Sequence, residues 1–116
     1  MAEHLILIAD DSRSIRAELK VYLEENTPHK VVAEADSPGA VATIVADASI
    51  VFTLALVDNR MPSEGDGALA AGTIKLSRPD VVVVQFSGDK SQSYGDLFIQ
   101  KGLRMREIVA RLNQIE

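Results

Sequence analysis

Acidic residues stand directly after two apolar runs that have the composition of buried strands. Asp10 and Asp11 follow residues 5–9, and Asp58 follows residues 52–57. Continuous apolar runs of this kind are typical of parallel strands covered on both faces. Each acid, taken singly, has the ordinary alternative of capping a helix or a loop. Carboxylates gathered at one edge of a sheet repel one another and raise one another's pKa unless a cation lies among them. The pattern therefore predicts a cation site.

Magnesium is the cation that suits these donors best. Mg²⁺ prefers octahedral oxygen ligands, keeps several waters and is usually held by one or two carboxylates together with a phosphate oxygen. Asp11 and Asp58 each offer one carboxylate oxygen, and the backbone carbonyl of Arg60 offers a third ligand. Asp10 is expected to act through a bound water. We therefore expect these four residues to form a Mg²⁺ site.

Two further strand ends carry groups of complementary chemistry. Ser87 follows the apolar run 81–86, and Lys101 follows the run 96–100. A carboxylate nucleophile surrounded by a metal, a hydroxyl and an ammonium group can attack phosphorus while the equatorial phosphoryl oxygens are neutralised. Taken singly, Ser87 is a turn residue and Lys101 a solvated lysine. Their joint position favours a phosphoryl-transfer pocket.

Strand and helix patterns alternate along the chain. The predicted order is strand 5–9, a helix capped by Ser12, strand 31–35, helix 37–48, strand 52–57, a helix after the loop 63–65, strand 81–86, strand 96–100 and a terminal helix. Such alternation indicates right-handed crossovers and a parallel sheet. The predicted fold is α/β: one doubly wound five-stranded parallel sheet in the flavodoxin-like order 2-1-3-4-5, with helices on both faces. In this order strands one and three are neighbours, so the acids converge at the crevice beyond their carboxyl ends.

Apolar residues mark the last two helices. The helix after residues 63–65 carries Leu69, Ile74 and Leu76. The terminal helix carries a stripe of Met105, Ile108, Val109, Leu112 and Ile115 on one face, which predicts a packed face there.

Composition narrows the class of protein. The chain has 116 residues, 47% of them apolar and 25% charged, which predicts one globular domain spanning 1–116. The formal net charge of −5 argues against non-specific nucleic-acid binding. The sequence has no cysteine, no 18-residue apolar run and no signal-peptide pattern, so we expect a cytoplasmic protein without a membrane partner.

Over essentially its whole length the sequence resembles the receiver domain of two-component response regulators. The matching positions, in order and approximate spacing, are Asp10-Asp11, Asp58 with Met61-Pro62, Ser87 and Lys101. The resemblance implies that Asp58 accepts a phosphoryl group from a histidine kinase or histidine phosphotransfer protein, with Mg²⁺ as the cofactor. It also implies that Ser87 and Phe98 are switch residues. The alternative for Phe98 is ordinary core packing.

The chain departs from the family pattern near its C-terminus. Gly102 stands where the family usually has proline, so we expect Lys101 to be held less firmly. Only thirteen residues separate Ser87 from Lys101, and the segment 88–95 has two glycines, two serines and no apolar stripe. This segment predicts a loop in place of the helix that the family has before its fifth strand. Tyr94 is expected to cover the gap, although presentation to a partner is the alternative.

A charge pair is conceivable at the rim of the site. Arg60 and Asp89 stand two positions after Asp58 and Ser87. Paired across the mouth, they would hinder the attack of water on an aspartyl phosphate. The alternative is two unrelated solvated charges.

The first interpretation is a phosphorylated signalling switch rather than a turnover enzyme. We expect a monomer or weak dimer that acts on a downstream protein, which the sequence does not identify. Direct nucleic-acid binding is not expected. The second is a degenerate receiver that keeps the fold and signals through protein contacts alone. A magnesium-dependent phosphatase is disfavoured, because Arg60 stands where an acid would protonate the leaving group. Flavin binding is disfavoured because the first strand is followed by acids instead of a phosphate-binding loop.

Overall fold

Five parallel strands form one sheet in the order β2-β1-β3-β4-β5. The computed structural model describes residues 3–88 and 93–115. Its strands are β1 Leu5–Ala9, β2 Lys30–Ala35, β3 Leu54–Val57, β4 Val82–Ser87 and β5 Leu97–Gln100. Its helices are α1 Arg13–Asn26, α2 Pro38–Ala46, α3 Asp66–Ser77 and α4 Met105–Leu112. The predicted fold class and strand order are confirmed, with strand and helix ends shifted by one or two residues.

The alternating side chains of the central strands build one apolar cluster on each face of the sheet. On one face, Ile6, Ile8, Leu54 and Leu56 pack with buried residues of α1 and α4. On the other face, Leu7, Ala9, Ala55 and Val57 pack with buried residues of α2 and α3. Because the strands are buried on both faces, their sequences are continuously apolar rather than alternating.

Two serines begin helices as the sequence predicts. The Ser12 Oγ accepts a hydrogen bond from the backbone N–H of Ile15, and the Ser37 Oγ accepts one from Ala40. Each cap satisfies a backbone donor that the first helical turn leaves unpaired, which stabilises a helix by about 1 kcal/mol.

Of the three large apolar residues that mark α3 in the sequence, only one is buried. Ile74 is buried, but Leu69 and Leu76 are 61% and 87% exposed. The buried residues of this helix are Gly67, Ala70, Ala71 and Ile74, which share one side at the helical repeat. Small side chains let α3 lie close to the sheet, and they carry too little hydrophobicity to stand out in the sequence.

The connection between β4 and β5 is short and contains no helix in its described residues, which are Gly88 and 93–96. Asp96 ties this connection to the sheet, because its backbone N–H donates to the Val83 carbonyl and its Oδ2 accepts from the Val83 N–H at 2.9 Å. The Lys75 Nζ on α3 lies 2.7 Å from the same Oδ2. These contacts fasten the start of β5 where a helix would otherwise cover it.

Gly95 has a backbone conformation that side chains rarely adopt. Its φ is +76°, and an added Cβ would lie 2.8 Å from the Val83 carbonyl oxygen. A glycine is therefore required at this turn.

Among the described residues, no helix is long and apolar enough to cross a membrane.

Arg78, just after α3, binds the carbonyl end of α2. Its guanidinium donates to the backbone carbonyls of Val45 and Asp47 at 3.0 Å and of Ile50 at 2.5 Å, and it lies 4.6 Å above the Phe52 ring. Replacement by methionine leaves several carbonyls unpaired. We expect Arg78→Met to lower the free energy of unfolding by about 2–4 kcal/mol in urea titrations.

The exposed Arg106 on α4 provides the control for this variant. Arg106→Met is expected to change stability by at most about 0.5 kcal/mol. Equal losses in the two variants would show that the guanidinium contacts of Arg78 contribute nothing specific.

Candidate functional site

The site begins at the adjacent ends of β1 and β3. The Asp58 backbone N–H donates to the Ala9 carbonyl at 2.8 Å, and the Asp10 N–H donates to the Ala35 carbonyl at 2.9 Å. Each acid therefore continues the hydrogen bonding of the sheet by one residue beyond its strand. Both carboxylates are thereby fixed at the same edge, as strand order 2-1-3-4-5 predicts.

Three carboxylates meet at this edge. Asp10, Asp11 and Asp58 each offer one oxygen, and these oxygens all lie within 4.8 Å of one another. Asp10 is fully buried, Asp58 is 8% exposed and Asp11 is exposed. An oxygen-only donor set with one solvent-facing member fits Mg²⁺, which keeps part of its water shell. The predicted contribution of the Arg60 carbonyl stays a prediction.

The Asp10 carboxylate and backbone are held by neighbouring groups. Its Oδ1 accepts from the Ser12 N–H at 2.9 Å, and its backbone carbonyl accepts from Arg16 Nη1 at 2.6 Å. Arg16 also forms an ion pair with Glu34 at 3.1 Å. Arg16 thus links the site to β2, a role that the sequence pattern of α1 did not indicate.

Lys101 places its ammonium group between two of the acids. Its Nζ lies 2.6 Å from Asp10 Oδ2 and 3.2 Å from Asp58 Oδ2. Its backbone N–H donates to the Ser87 carbonyl at 2.9 Å. Gly102 follows it, yet the side chain and the backbone of Lys101 are both tied to the site. The expectation that Gly102 lets Lys101 be held less firmly stays a prediction.

Burial and the neighbouring charges together set the pKa values of Asp58 and Lys101. Burial, followed by the nearby charge of Asp10, raises the pKa of Asp58, and Lys101 only partly offsets this. Burial alone would lower the pKa of Lys101, but its contacts with Asp10 and Asp58 outweigh this and raise it. Lys101 therefore stays charged at neutral pH. Its single positive charge does not balance the three carboxylates of Asp10, Asp11 and Asp58.

The predicted switch residues lie on β4 and β5. Ser87 is buried, and its Oγ lies 3.2 Å from Gln85 Nε2, which donates to it. Phe98 is opposite Gln85 in the strand register and is half-buried, outside both main apolar clusters. The switch roles of Ser87 and Phe98 stay predictions.

Tyr94 lies directly behind the site. Its hydroxyl donates to the Val57 carbonyl at 2.7 Å, and its ring packs against the apolar cluster under α2 and α3. The interpretation that Tyr94 covers the gap left by the shortened segment is confirmed. Its hydrogen bond to the residue before Asp58 was not predictable, because no local pattern joins positions 94 and 57.

Gly67 allows the first turn of α3 to approach the same backbone. An added Cβ would overlap the Asp58 carbonyl oxygen, and it would lie 2.6 Å from the Tyr94 hydroxyl and 2.8 Å from the Asn59 Cα. The Gly67 N–H donates to the Asn59 carbonyl at 3.0 Å. Nothing in the local sequence distinguishes Gly67 from other helix glycines.

Of the two residues expected to pair across the rim of the site, Arg60 and Asp89, the structure describes only Arg60. Arg60 lies 3.8 Å from Glu64, and both side chains are largely exposed. Asp89 lies outside the described residues.

A doubly wound domain with three acids and a lysine at its β1/β3 crevice has the architecture of a signal-receiving domain. The chain belongs to the response regulator receiver domain family, whose model matches residues 6–113. Receiver domains typically bind Mg²⁺ at an acidic pocket, and the acids Asp10, Asp11 and Asp58 form such a group in this chain.

Solved receiver structures share this fold at low sequence identity. The response regulator domain of Thermotoga maritima CheB is 20% identical with a TM-score of 0.78, and the match covers 97% of this chain and 92% of that one. A CheY-like receiver from Methanospirillum hungatei is 25% identical with a TM-score of 0.72, covering 97% and 93%. The receiver domain of NarL from Mycobacterium tuberculosis is 22% identical with a TM-score of 0.80, covering 97% and 95%. A search of curated proteins found no match.

Proposed function

We propose that this receiver domain accepts a phosphoryl group on Asp58 from a phosphohistidine of a histidine kinase or histidine phosphotransfer protein. The observation that supports this most directly is the position of Lys101, whose ammonium group contacts both Asp10 and Asp58. A lysine that served only solubility would not be held between two buried acids. The domain is proposed to act as a switch, with one phosphorylation per cycle, rather than as a turnover enzyme.

The proposed reaction is a displacement at phosphorus. A carboxylate oxygen of Asp58 attacks the phosphoryl group, an O–P bond forms, and the P–N bond to the donor imidazole breaks with its electron pair left on nitrogen. The attacking carboxylate must be ionised, and Lys101 opposes the raised pKa of Asp58. Lys101 then neutralises charge on the transferred group, and the Ser87 hydroxyl is proposed to donate a hydrogen bond to it.

Asp11 and Asp58 are proposed to hold Mg²⁺ directly, together with the Arg60 carbonyl, and Asp10 through water. When bound, the ion supplies positive charge to the phosphoryl oxygens and offsets the repulsion among the acids. The exposed position of Asp11 keeps this side of the cluster open to solvent and to a phosphodonor. The same opening would admit the small phosphodonor acetyl phosphate.

Phosphorylation of the wild-type protein by acetyl phosphate with Mg²⁺ tests this proposal. A degenerate receiver would keep the fold but take up no phosphoryl group. Oxygens of the three acids lie within 4.8 Å of one another and Lys101 contacts two of these acids, which favours the phosphoaccepting form. The downstream partner is proposed to be a protein, bound by a monomer or weak dimer.

Metal binding should appear first as a gain in stability. At a Mg²⁺ concentration about 100 times the dissociation constant, we expect the free energy of unfolding to rise by about 2.7 kcal/mol. The expected gain is large because the ion binds the assembled carboxylates and not the unfolded chain. Thermal or urea unfolding with and without Mg²⁺ measures this effect.

Two neutralising variants separate a specific site from general charge screening. Asp11→Asn should lose most of the gain, whereas Asp36→Asn, an exposed acid before α2, should keep it. A gain that survives in Asp11→Asn would remove this residue from the metal site.

A further inference from the structure

The segment between β4 and β5 touches the backbone of the phosphoacceptor strand through one side chain. Tyr94 reaches from this segment to the Val57 carbonyl, one residue before Asp58, with a hydrogen bond of 2.7 Å. At its other end, the Tyr94 backbone N–H donates to the Gln85 Oε1 at 3.3 Å. Gln85 in turn donates to Ser87. Tyr94 is therefore connected both to the end of β3 and to the side chains of β4.

The hydroxyl is packed tightly against the site. Gly67 separates it from the backbone of Asp58 and Asn59, and even a methyl group at position 67 would collide with all three groups. At the hydroxyl end, such close packing transmits displacement, because the atoms leave little room to absorb it. Movement of the Asp58 backbone would therefore move the phenol, and through it residues 93–95.

The charges of Asp58 and Asp10 also affect the pKa of the Tyr94 hydroxyl. Burial comes first, and the charges of Asp58 and Asp10 follow, in raising the pKa of Tyr94 above its ordinary value. The phenol consequently remains a neutral donor. A phosphoryl group on Asp58 would add negative charge on the same side.

The same unit contains an unsatisfied acceptor. Asn59 Oδ1 is buried, and it has no hydrogen-bond partner among the described residues. An unpaired buried acceptor disfavours the arrangement that contains it. A shift of the end of β3 that gave this oxygen a donor would therefore be favourable.

We infer that Tyr94 is a positioning residue for Asp58 and couples the state of Asp58 to residues 93–96, which lead into β5. The inference rests on the proposed phosphorylation of Asp58. It assigns to a tyrosine outside the strands a role in reading the site, in addition to the predicted switch residues Ser87 and Phe98. In this chain the tyrosine occupies space that a longer connection would fill with a helix.

Tyrosine emission can report this coupling, because the chain has two tyrosines and no tryptophan. Tyr22→Phe leaves Tyr94 as the emitting residue, and Tyr94→Phe leaves Tyr22 on α1. Addition of Mg²⁺ and beryllofluoride, a phosphoryl mimic, should change the emission of Tyr22→Phe and leave that of Tyr94→Phe unchanged. ¹⁹F NMR of bound beryllofluoride shows in each variant that the site is loaded.

The hydroxyl itself is tested by kinetics. Tyr94→Phe keeps the ring and removes the hydrogen bond to Val57, so the acceptor strand is less well fixed. We expect labelling by saturating acetyl phosphate and Mg²⁺ to slow about fivefold, as expected for the loss of one hydrogen bond. Tyr22→Phe should label at the wild-type rate. Both variants are labelled under conditions in which urea titrations show them to be fully folded, which excludes partial unfolding as the cause of slower labelling.

The outcomes separate the inference from the proposed function. If the wild-type protein is labelled, but Tyr94→Phe labels at the same rate and Tyr94 emission ignores beryllofluoride, Tyr94 is only a packing residue and the inference is overturned. If the wild-type protein neither takes up phosphate nor binds beryllofluoride, the proposed function fails and the inference fails with it.

Discussion

Asp58→Asn is expected to abolish labelling by acetyl phosphate in the presence of Mg²⁺, while the wild-type protein takes up one phosphoryl group. The amide keeps the size of the side chain but removes the nucleophilic carboxylate oxygen. It also removes one of the two carboxylates predicted to bind the metal directly. Intact-protein mass spectrometry measures the effect, since each phosphoryl group adds a fixed mass.

Asp36→Asn is the matched control, because Asp36 is an exposed acid at the end of β2 and outside the acidic cluster. It should label at the wild-type rate. Labelling of Asp58→Asn at more than a few per cent of the wild-type level would place the acceptor elsewhere and remove the assignment of Asp58.

The same variant should be more stable than the wild-type protein without metal. The pKa of Asp58 is raised in the folded state by burial and by Asp10, so the folded state binds its proton more readily than the unfolded chain does. Stability is therefore lost as the pH rises through the interval between the ordinary and the raised pKa. At neutral pH, removal of this charge should raise the free energy of unfolding by on the order of 1 kcal/mol, and Mg²⁺ should reverse the order of the two proteins.

The fold was largely predictable because its signals are local and repeated. Five apolar runs, the first four separated by helical patterns, leave few alternatives to a doubly wound sheet, and serines before α1 and α2 give the helix starts. The positions of Asp10, Asp58 and Lys101 follow from that fold, since each stands directly after a parallel strand. Once the strand order is known, their convergence requires no further information.

The remainder of the site depends on contacts between distant parts of the chain. The Tyr94 hydroxyl donates a hydrogen bond to the Val57 carbonyl, and the Arg16 guanidinium donates one to the Asp10 carbonyl. The tertiary fold, and no local sequence pattern, brings these groups together. The buried face of α3 escaped prediction because two large leucines lie outward while glycine and alanine lie inward. A hydrophobicity pattern identifies large buried side chains. It does not identify glycine and alanine positions at which a helix backbone lies close to the sheet.

Two glycines of α3 allow the close approach between this helix and the end of β3 to be tested. Gly67→Ala is expected to lower the free energy of unfolding by about 3 kcal/mol, because the new Cβ would overlap the Asp58 carbonyl and lie 2.8 Å from the Asn59 Cα. Both obstacles are backbone and cannot turn aside. The helix start or the end of β3 must therefore move.

Gly72→Ala separates this collision from helix propensity. Nothing lies within 4 Å of an added Cβ at Gly72, so alanine there should raise stability by about 0.5–1 kcal/mol. Urea unfolding of the two variants, with acetyl phosphate labelling of each at equal folded fraction, completes the comparison. Gly72→Ala should label like the wild-type protein, and Gly67→Ala should label more slowly because its acceptor backbone is displaced. If alanine stabilised both positions equally, α3 would not be in close contact with the phosphoacceptor strand, and the packing attributed to Gly67 would be wrong.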